Sequence, residues 1–423
     1  MKILVVSDYE RRGGAALATS LLCEQLVVDG HEVHHVHCRP SGAQEPWSAT
    51  ILHWRRARGS GSKLLRKLTP RSRRRTGDQR AVLAAFAQTI DRVRPDVVNF
   101  ANIHGVLDAG WSDRMLALAA ATTAACFTMH DMWWLTGRCA YSHECRKFET
   151  GCDARCPTPT EYPALAPELI HPAWLTRKLI AQAHPNIGVV PASAWIGREA
   201  AASVWGQHPT RVINYGIKSD QYPALDRAES RRELGINGDA PVLLSVAVDW
   251  GSPHKGGALL AAALAELEPI KPTLLLLGSG NVPPGLASDR VRALGYNANP
   301  RFKAAAMAAA DCLVHPATAE NFSNVLMEAG VCGLPVACFE IGGNPEIVTE
   351  GVSGRLSREV TGAGLAAATR ASLDLGGGTQ AQRDELRRHI RQQARERFSM
   401  KLQAQHYVEF YQRLIDLRNP GSR

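Results

Sequence analysis

The sequence predicts an α/β protein made of two doubly wound parallel-sheet (Rossmann-like) domains that face an interdomain cleft. Three observations predict it. Short apolar, β-rich runs alternate with helix-period segments. The alternation restarts after about residue 219. A chain of 423 residues is also too long for one ordinary hydrophobic core.

Lys2 to Ser7 is a short apolar run, followed by Gly13-Gly14 and a helix-period segment from Ala15 to Val28 that stops at Gly30. This reads as strand, glycine turn, helix. Val33–His37, Asp96–Phe100, Ala124–Met129 and Ile187–Ala192 repeat the strand pattern, with a helical pattern over Asp78–Val93 between them. Strands alternating with helices imply a parallel sheet covered on both faces. Ser219–Asp239, with Asp, Pro, Gly and an Arg-rich helical stretch, reads as the connection. A second series follows at Pro241–Ala247, Thr273–Leu277, Val291–Gly295, Cys312–His315 and Val336–Phe339. The charged segment Gln380–Leu417 is helical without a strand partner and is expected to pack across the junction. The expected parts are thus 1–218, 219–400 and a terminal helix, 401–423. Open parallel sheets bind ligands at the carboxyl ends of their strands, so the chemistry is expected in the cleft.

Hydrophobic residues make up 45% of the chain and charged residues 21%, which excludes disordered, collagenous and coiled-coil classes. The longest charge-free, mostly apolar stretch, Met115–Met129, falls short of the ~20 residues that cross a bilayer. The N-terminus has too few apolar residues before Ser7 and Asp8 for a signal peptide, so a cytoplasmic location is expected. The net charge of +9 is local: His53–Gly77 holds ten basic residues and no acid. This stretch is either a solvated loop or a contact with an anionic acceptor or membrane leaflet through residues 55–75. Nucleic acid is not expected, because only Trp54 is available for stacking. Of ten cysteines, Cys139, Cys145, Cys152 and Cys156 lie within eighteen residues. A structural zinc, two disulfides and free thiols all remain open for them.

Four segments have the residue types that chemistry needs. Gly13-Gly14 lets backbone approach a phosphate ahead of a helix N-terminus. The dinucleotide fingerprint is absent, which speaks against an NAD enzyme. From His315 to Gly330 a strand end leads through Glu320, Asn321 and Phe322 to Ser323, expected as N-cap of a helix beginning near Asn324 and Val325. Its backbone N–H groups suit a diphosphate, Glu328 suits ribose hydroxyls and Glu320 sugar hydroxyls. Lys255, on the glycine turn Lys255-Gly256-Gly257, can neutralise a leaving phosphate. Finally, Thr128–Gly137 places His130, Asp131, Trp133 and Trp134 after a strand. That group suits either a sugar site or a packed core.

Together these segments resemble the retaining family-4 glycosyltransferases of the GT-B fold, and within them the colanic-acid type of exopolysaccharide enzyme. The residues that carry the resemblance run from G-G-A-A at Gly13 through R-P-D-V-V-N-F-A-N-I-H-G (Arg94–Gly105) and T-M-H-D-M-W-W-L-T-G-R-C-A-Y (Thr128–Tyr141) to G-C-D-A-R-C-P at Gly151. They continue with I-N-Y-G-I at Ile213, K-G-G at Lys255, E-N-F-S-N-V-L-M-E-A at Glu320 and G-G-N-P-E-I-V at Gly342. The resemblance implies a nucleoside-diphosphate-sugar donor, GDP- or UDP-linked, bound by the second domain, and an acceptor glycan or small molecule bound by the first. It implies catalytic roles for Lys255, Glu320 and His130. Donor contacts would come from Gly13, Gly14, Lys255, Tyr296, Glu320, Asn321, Phe322, Ser323, Asn324, Val325 and Glu328, and acceptor contacts from Asn102, His104, Asp131 and Trp133. No cofactor or catalytic metal is implied, and no D-x-D pair stands on a strand-end loop. The family's arginine before the lysine is missing: Asp249, Trp250 and Pro253 occupy that loop. Asn99-Phe100-Ala101-Asn102 and Lys218 also depart from the family pattern, which leaves the acceptor open. A non-catalytic nucleotide-sugar-binding protein and a UDP-sugar 2-epimerase are the rival readings.

Overall fold

The computed structural model describes residues 1–40, 45–50, 71–107, 111–286 and 289–419. The basic segment 55–75 lies outside the residues whose side chains are described. Two compact units divide the chain. The first holds residues 1–214 together with the segment from Met400 onward, and the second holds Tyr215–Ser399. The expected divisions stood at 218/219 and 400/401.

In the first unit the order is β1 (Lys2–Tyr9), α1 (Gly14–Val28), β2 (Glu32–Arg39), β3 (Ser48–Thr50), α2 (Arg71–Val93) and β4 (Val97–Phe100). It continues with α3 (Arg114–Thr122), β5 (Ala124–Met129), α4 (Pro167–Ala183), β6 (Gly188–Pro191) and α5 (Ala194–Ala201). The sheet runs β3-β2-β1-β4-β5-β6 with every pair parallel. Period-2 alternation splits β1 between two cores. Leu4 and Val6 face Val82, Phe86 and Ile90 of α2 and Met115 of α3, whereas Ile3 and Val5 face Leu22 and Leu26 of α1. Both faces are apolar, which is why these strands read as short continuous hydrophobic runs.

In the second unit the order is α6 (Arg227–Glu233), β7 (Val242–Asp249), α7 (Gly257–Glu266), β8 (Thr273–Ser279), β9 (Val291–Gly295) and α8 (Pro300–Ala309). Then come β10 (Cys312–His315), α9 (Asn324–Cys332), β11 (Val336–Phe339), β12 (Gly354–Ser357), α10 (Gly362–Leu375) and α11 (Gln380–Arg397). This sheet is also all parallel, ordered β12-β11-β10-β7-β8-β9. Leu243, Leu274, Leu276 and Val314 bury one face against Leu260 and Ala263 of α7 and Leu365 and Ala366 of α10. Local chemistry sets the helix starts. Asp226 and Thr361 cap α6 and α10, Asn299 caps α8 ahead of Pro300, and Thr379 with Gln382 forms a capping box on α11.

The tail is two helices rather than one. The chain leaves α11 at Phe398, Ser399 bridges Ile217, and α12 (Met400–Arg418) follows. The terminal helix lies in the core of the first unit, where Tyr407, Phe410, Tyr411 and Leu414 join Ile3, Val5 and Leu22. Two buried hydrogen bonds fix its register on the sheet. Asn99 Nδ2 donates to Tyr411 Oη at 2.9 Å, and Thr128 Oγ1 lies 2.9 Å from Tyr407 Oη. Among the described residues no helix is long and apolar enough to cross a membrane.

Candidate active site

In each sheet the strand order reverses at one point, between β1 and β4 in the first unit and between β7 and β10 in the second. Ligands of open α/β sheets bind outside the strand C-termini at such points. The polar residues singled out in the sequence cluster at both.

In the second unit, the chain leaves β7 and makes a tight turn over Pro253–Lys255 before α7. Gly256 holds φ 69°, and a Cβ there would lie 1.9 Å from the carbonyl oxygen of Pro316. Only glycine allows this turn to press against the loop after β10. The close approach brings Lys255 Nζ to Glu320 Oε1, to which it donates at 2.6 Å. His315 Nε2 lies 3.6 Å from the same oxygen. Burial alone would raise the Glu320 carboxyl, but Lys255 and His315 outweigh it and hold it down to about 2. Glu320 is therefore ionised at neutral pH, and the two residues span the reversal point. Next to it, Ser323 takes the expected N-cap position of α9, but its hydroxyl makes no capping hydrogen bond.

One turn inside α9, Glu328 is 3% exposed. Its Oε1 accepts from Tyr222 Oη at 2.9 Å and from Lys303 Nζ at 2.7 Å. Its Oε2 is buried and has no partner. A buried carboxylate oxygen without a donor is costly, and a ligand hydroxyl would satisfy it. Sequence reasoning missed Lys303 and Tyr222. Lys303 lies on α8, and Tyr222 sits in a stretch expected only to connect the domains, so no local pattern ties either to Glu328.

In the first unit, Asn102 and His104 follow β4, and His130 and Asp131 follow β5. The His104 Nε2–H donates to Asp131 Oδ2 at 2.7 Å, and its Nδ1 is buried without a partner. The Asn102 carbonyl accepts from Asp8 N at 2.7 Å, and Asp8 Oδ2 accepts from Gly105 N at 2.5 Å. Burial disfavours charge on His104, but Asp131 and Asp8 override it, so its pKa lies above the ordinary value. His130 behaves in the opposite way. Its Nε2 lies 3.3 Å from Thr19 Oγ1, and burial outweighs Asp131 to push its pKa down to about 4.

Burial also lowers His35, to about 3, and His37. These three histidines are neutral in the folded chain, whereas the unfolded chain binds protons at each below about pH 6.5. Stability therefore falls as pH drops from about 6.5 toward 4, because the unfolded state binds more protons there. His104, with its raised pKa, works in the opposite sense, but three groups outweigh one. A lower thermal midpoint at pH 5 than at pH 7 is expected, with a shallower decline in His35→Gln. A midpoint independent of pH would contradict this reading.

Several other expected residues stand elsewhere. Trp133 is 2% exposed, packs against Trp134, and has the Arg177 guanidinium carbon 3.7 Å above its ring. It presents no free face to a sugar, and the packed-core alternative describes it. Phe322 packs edge-on against Tyr215 and Phe398, so its ring is core rather than ligand contact. Asn321 and Ser323 are likewise buried, while Asn324 and Val325 are half-buried at the start of α9. Tyr296 is 62% exposed beyond β9. Gly13, with φ 90°, and Gly14 form the exposed start of α1. None of the ten cysteines is joined in a disulfide.

Residues 240–374 match the family described as glycosyl transferases group 1. Among curated relatives, the D-inositol 3-phosphate glycosyltransferase of Segniliparus rotundus is 34% identical over 159 residues, covering 34% of this chain and 35% of the relative. The putative colanic acid biosynthesis glycosyl transferase WcaC of Escherichia coli strain K12 is 27% identical over 212 residues, half of each chain. The chain thus spans about a third to a half of the length of the curated relatives it matches. Similar solved structures include sucrose-phosphate synthase from Thermosynechococcus elongatus, with TM-score 0.69, 18% identity, and coverage of 99% of this chain and 100% of the other. Anabaena Alr3699/HepE in complex with UDP and glucose has TM-score 0.64 at 21% identity, covering 97% and 98% of the two chains. At these identities the likeness is one of fold.

Proposed function

Because residues 240–374 match the glycosyl transferases group 1 family and the chain is similar in fold to GT-B structures, we propose that the chain is a retaining glycosyltransferase. It moves a sugar from a UDP- or GDP-linked donor to an acceptor hydroxyl without a divalent metal. The observation that carries this reading is the second unit's reversal point, where the hydrogen-bonded Lys255 and Glu320 adjoin a helix that Ser323 does not cap and that holds a carboxylate with one unpartnered oxygen.

In the proposed reaction the bond between the anomeric carbon and the diphosphate oxygen breaks, and its electron pair leaves with the diphosphate. An ammonium has three donors, so the one bond from Lys255 to Glu320 leaves two for phosphate oxygens. The N-terminus of α9 adds its dipole to the same charge. Stabilising charge that develops on the leaving group is commonly the largest catalytic term. Glu320, held ionised, accepts hydrogen bonds from sugar hydroxyls, and Glu328 Oε2 accepts one from the ribose. The acceptor oxygen bonds to the anomeric carbon on the face the diphosphate leaves, and its proton passes to the leaving phosphate. This retains configuration without a protein nucleophile. On the acceptor side, Asn102, His104 and Asp131 orient the incoming hydroxyl of a glycan or small molecule. Neutral His130 can hydrogen-bond a sugar without adding charge.

A panel of UDP-, GDP-, ADP- and dTDP-sugars with excess EDTA tests this proposal. UDP- or GDP-sugars should raise the thermal midpoint by mass action. Slow release of the nucleotide, accelerated by acceptor and indifferent to EDTA, should accompany binding. Binding without any bond cleavage would favour a non-catalytic nucleotide-sugar-binding protein, and release of an epimerised free sugar a 2-epimerase.

A further inference from the structure

Strands β7, β10 and β11 begin just after Pro241, Asp311 and Pro335, and these three residues border a cavity of about 570 Å³. It lies at the N-terminal edge of the second sheet, the edge opposite to Lys255 and Glu320. Cavities of roughly this size hold small molecules. Six arginines and four aspartates border it, a surplus of two positive charges. From this placement of guanidinium groups we propose that the cavity binds a small solute carrying several phosphoryl groups. The proposal does not rest on the sugar-transfer reading.

The acids of the cavity are largely spent. Asp311 serves two arginines, its Oδ1 accepting from Arg227 Nη2 at 2.5 Å and its Oδ2 from Arg231 Nη2 at 2.7 Å. Asp226 caps α6 by accepting from Glu229 N, Asp384 accepts from Gln380 Nε2, and Asp239 is exposed beside Arg231. Arg388 pairs with Glu385. The other three arginines hydrogen-bond only to neutral acceptors among the described residues. Arg383 donates to the Gly378 carbonyl and to Gln380 Oε1, Arg387 to the carbonyls of Ala308 and Ala310, and Arg391 to those of Val331 and Cys332. The last two pairs of carbonyls stand at the ends of α8 and α9, and a helix end offsets only about half a unit charge. Arg227 Nε and Arg383 Nε are buried with no partner at all. Buried donors left unpaired are costly, and phosphoryl oxygens match the planar guanidinium fork.

Spacing sets the length of the ligand. Arg383, Arg387 and Arg391 recur every four residues along one face of α11, over about 12 Å at ~1.5 Å per residue. Like charges at that spacing destabilise a helix unless something neutralises them. The repulsion is felt within the group: burial, reinforced by Arg227 and Arg391, pushes Arg387 down to about 10 in spite of Asp311. A single phosphate reaches one end of this row, whereas linked phosphoryl groups reach along it.

Calorimetric titration of the full-length protein with inorganic tripolyphosphate, in the presence of excess UDP, tests the proposal. A single equivalent should bind, more tightly than phosphate or sulfate, and more weakly as salt rises. Arg383→Gln should weaken binding by about 10- to 100-fold, the value of hydrogen bonds to a charged group, and Arg383→Lys should recover part of the loss. Lys255→Met, at the opposite edge of the sheet, should bind tripolyphosphate as wild type does. Because the arginine variants could fail to fold, labelling of the wild-type protein with phenylglyoxal gives a second reading. Tripolyphosphate should protect Arg383 and Arg391 from this arginine reagent, as peptide mass spectrometry would show. Binding lost in Lys255→Met but kept in Arg383→Gln would overturn the proposal and place the anion at the other edge. Equal affinity for phosphate, sulfate and tripolyphosphate would also overturn it, as would arginines that stay unprotected.

Discussion

Replacing Lys255 by methionine is expected to lower kcat by about 10²- to 10³-fold, the usual effect of removing one preorganised donor from a developing anion. The donor KM should change much less, because the lysine's charge matters most once the diphosphate begins to leave. The same substitution leaves Glu320 with His315 as its remaining partner. At present Lys255 and His315 hold that carboxyl at about 2 against the opposing effect of burial. A carboxylate with a depressed folded pKa contributes stability that is present above its unfolded pKa, near 4.3, and is lost as pH falls through about 2. With the lysine gone, only His315 opposes burial, so the carboxyl moves up and that contribution shrinks. Initial rates and the thermal midpoint between pH 3 and 7 check both statements. A Lys255→Met enzyme with wild-type kcat would remove the lysine from the chemistry and leave it a structural ion pair.

Glu328→Gln should weaken donor binding by about 10- to 100-fold, the value of a hydrogen bond to a charged acceptor. It should also destabilise the second unit by on the order of 3 kcal/mol, because Lys303 loses its counter-charge in a nearly buried setting. These effects need separating, and Lys303→Met does so. It breaks the same ion pair from the other side, so it should lose comparable stability, yet it leaves Glu328 Oε2 in place and donor affinity near wild type. Calorimetric titration with UDP and GDP, alongside urea unfolding of both variants, measures the two quantities. If Glu328→Gln lost stability but bound nucleotide normally, the glutamate would be a scaffold residue only.

Much of this arrangement was legible in the sequence because buried parallel strands have an unmistakable pattern. Val291–Gly295, Cys312–His315 and Val336–Phe339 have the expected limits, as does the start of α9 at Asn324. Two strands were not legible. Ser48–Thr50 has three residues and no apolar run, and Gly354–Ser357 is a half-buried edge with an arginine inside it. Edge strands bury too little to show the pattern. The break between α11 and α12 was hidden for another reason. No glycine or proline marks Phe398–Ser399, and the bend depends on a bridge to Ile217, remote in sequence. In the site, Lys255, Glu320 and Glu328 could be read because a strand end, a glycine turn and a helix start place them locally. Their partners Tyr222 and Lys303 could not, since folding alone brings them to Glu328. Trp133 shows the converse: an aromatic pair near a strand end suggested a sugar platform, and packing against Trp134 and Arg177 consumed it.

The return of α12 into the opening sheet makes the two halves of the gene product unequal as engineering parts. A fragment ending at residue 214 would expose Ile3, Val5 and Leu22 to water and leave the amide of Asn99 and the hydroxyl of Thr128 without their tyrosine partners. A chimera meant to join a different second unit to this first one must therefore exchange residues 215–399 as an internal cassette and keep the native terminal helix.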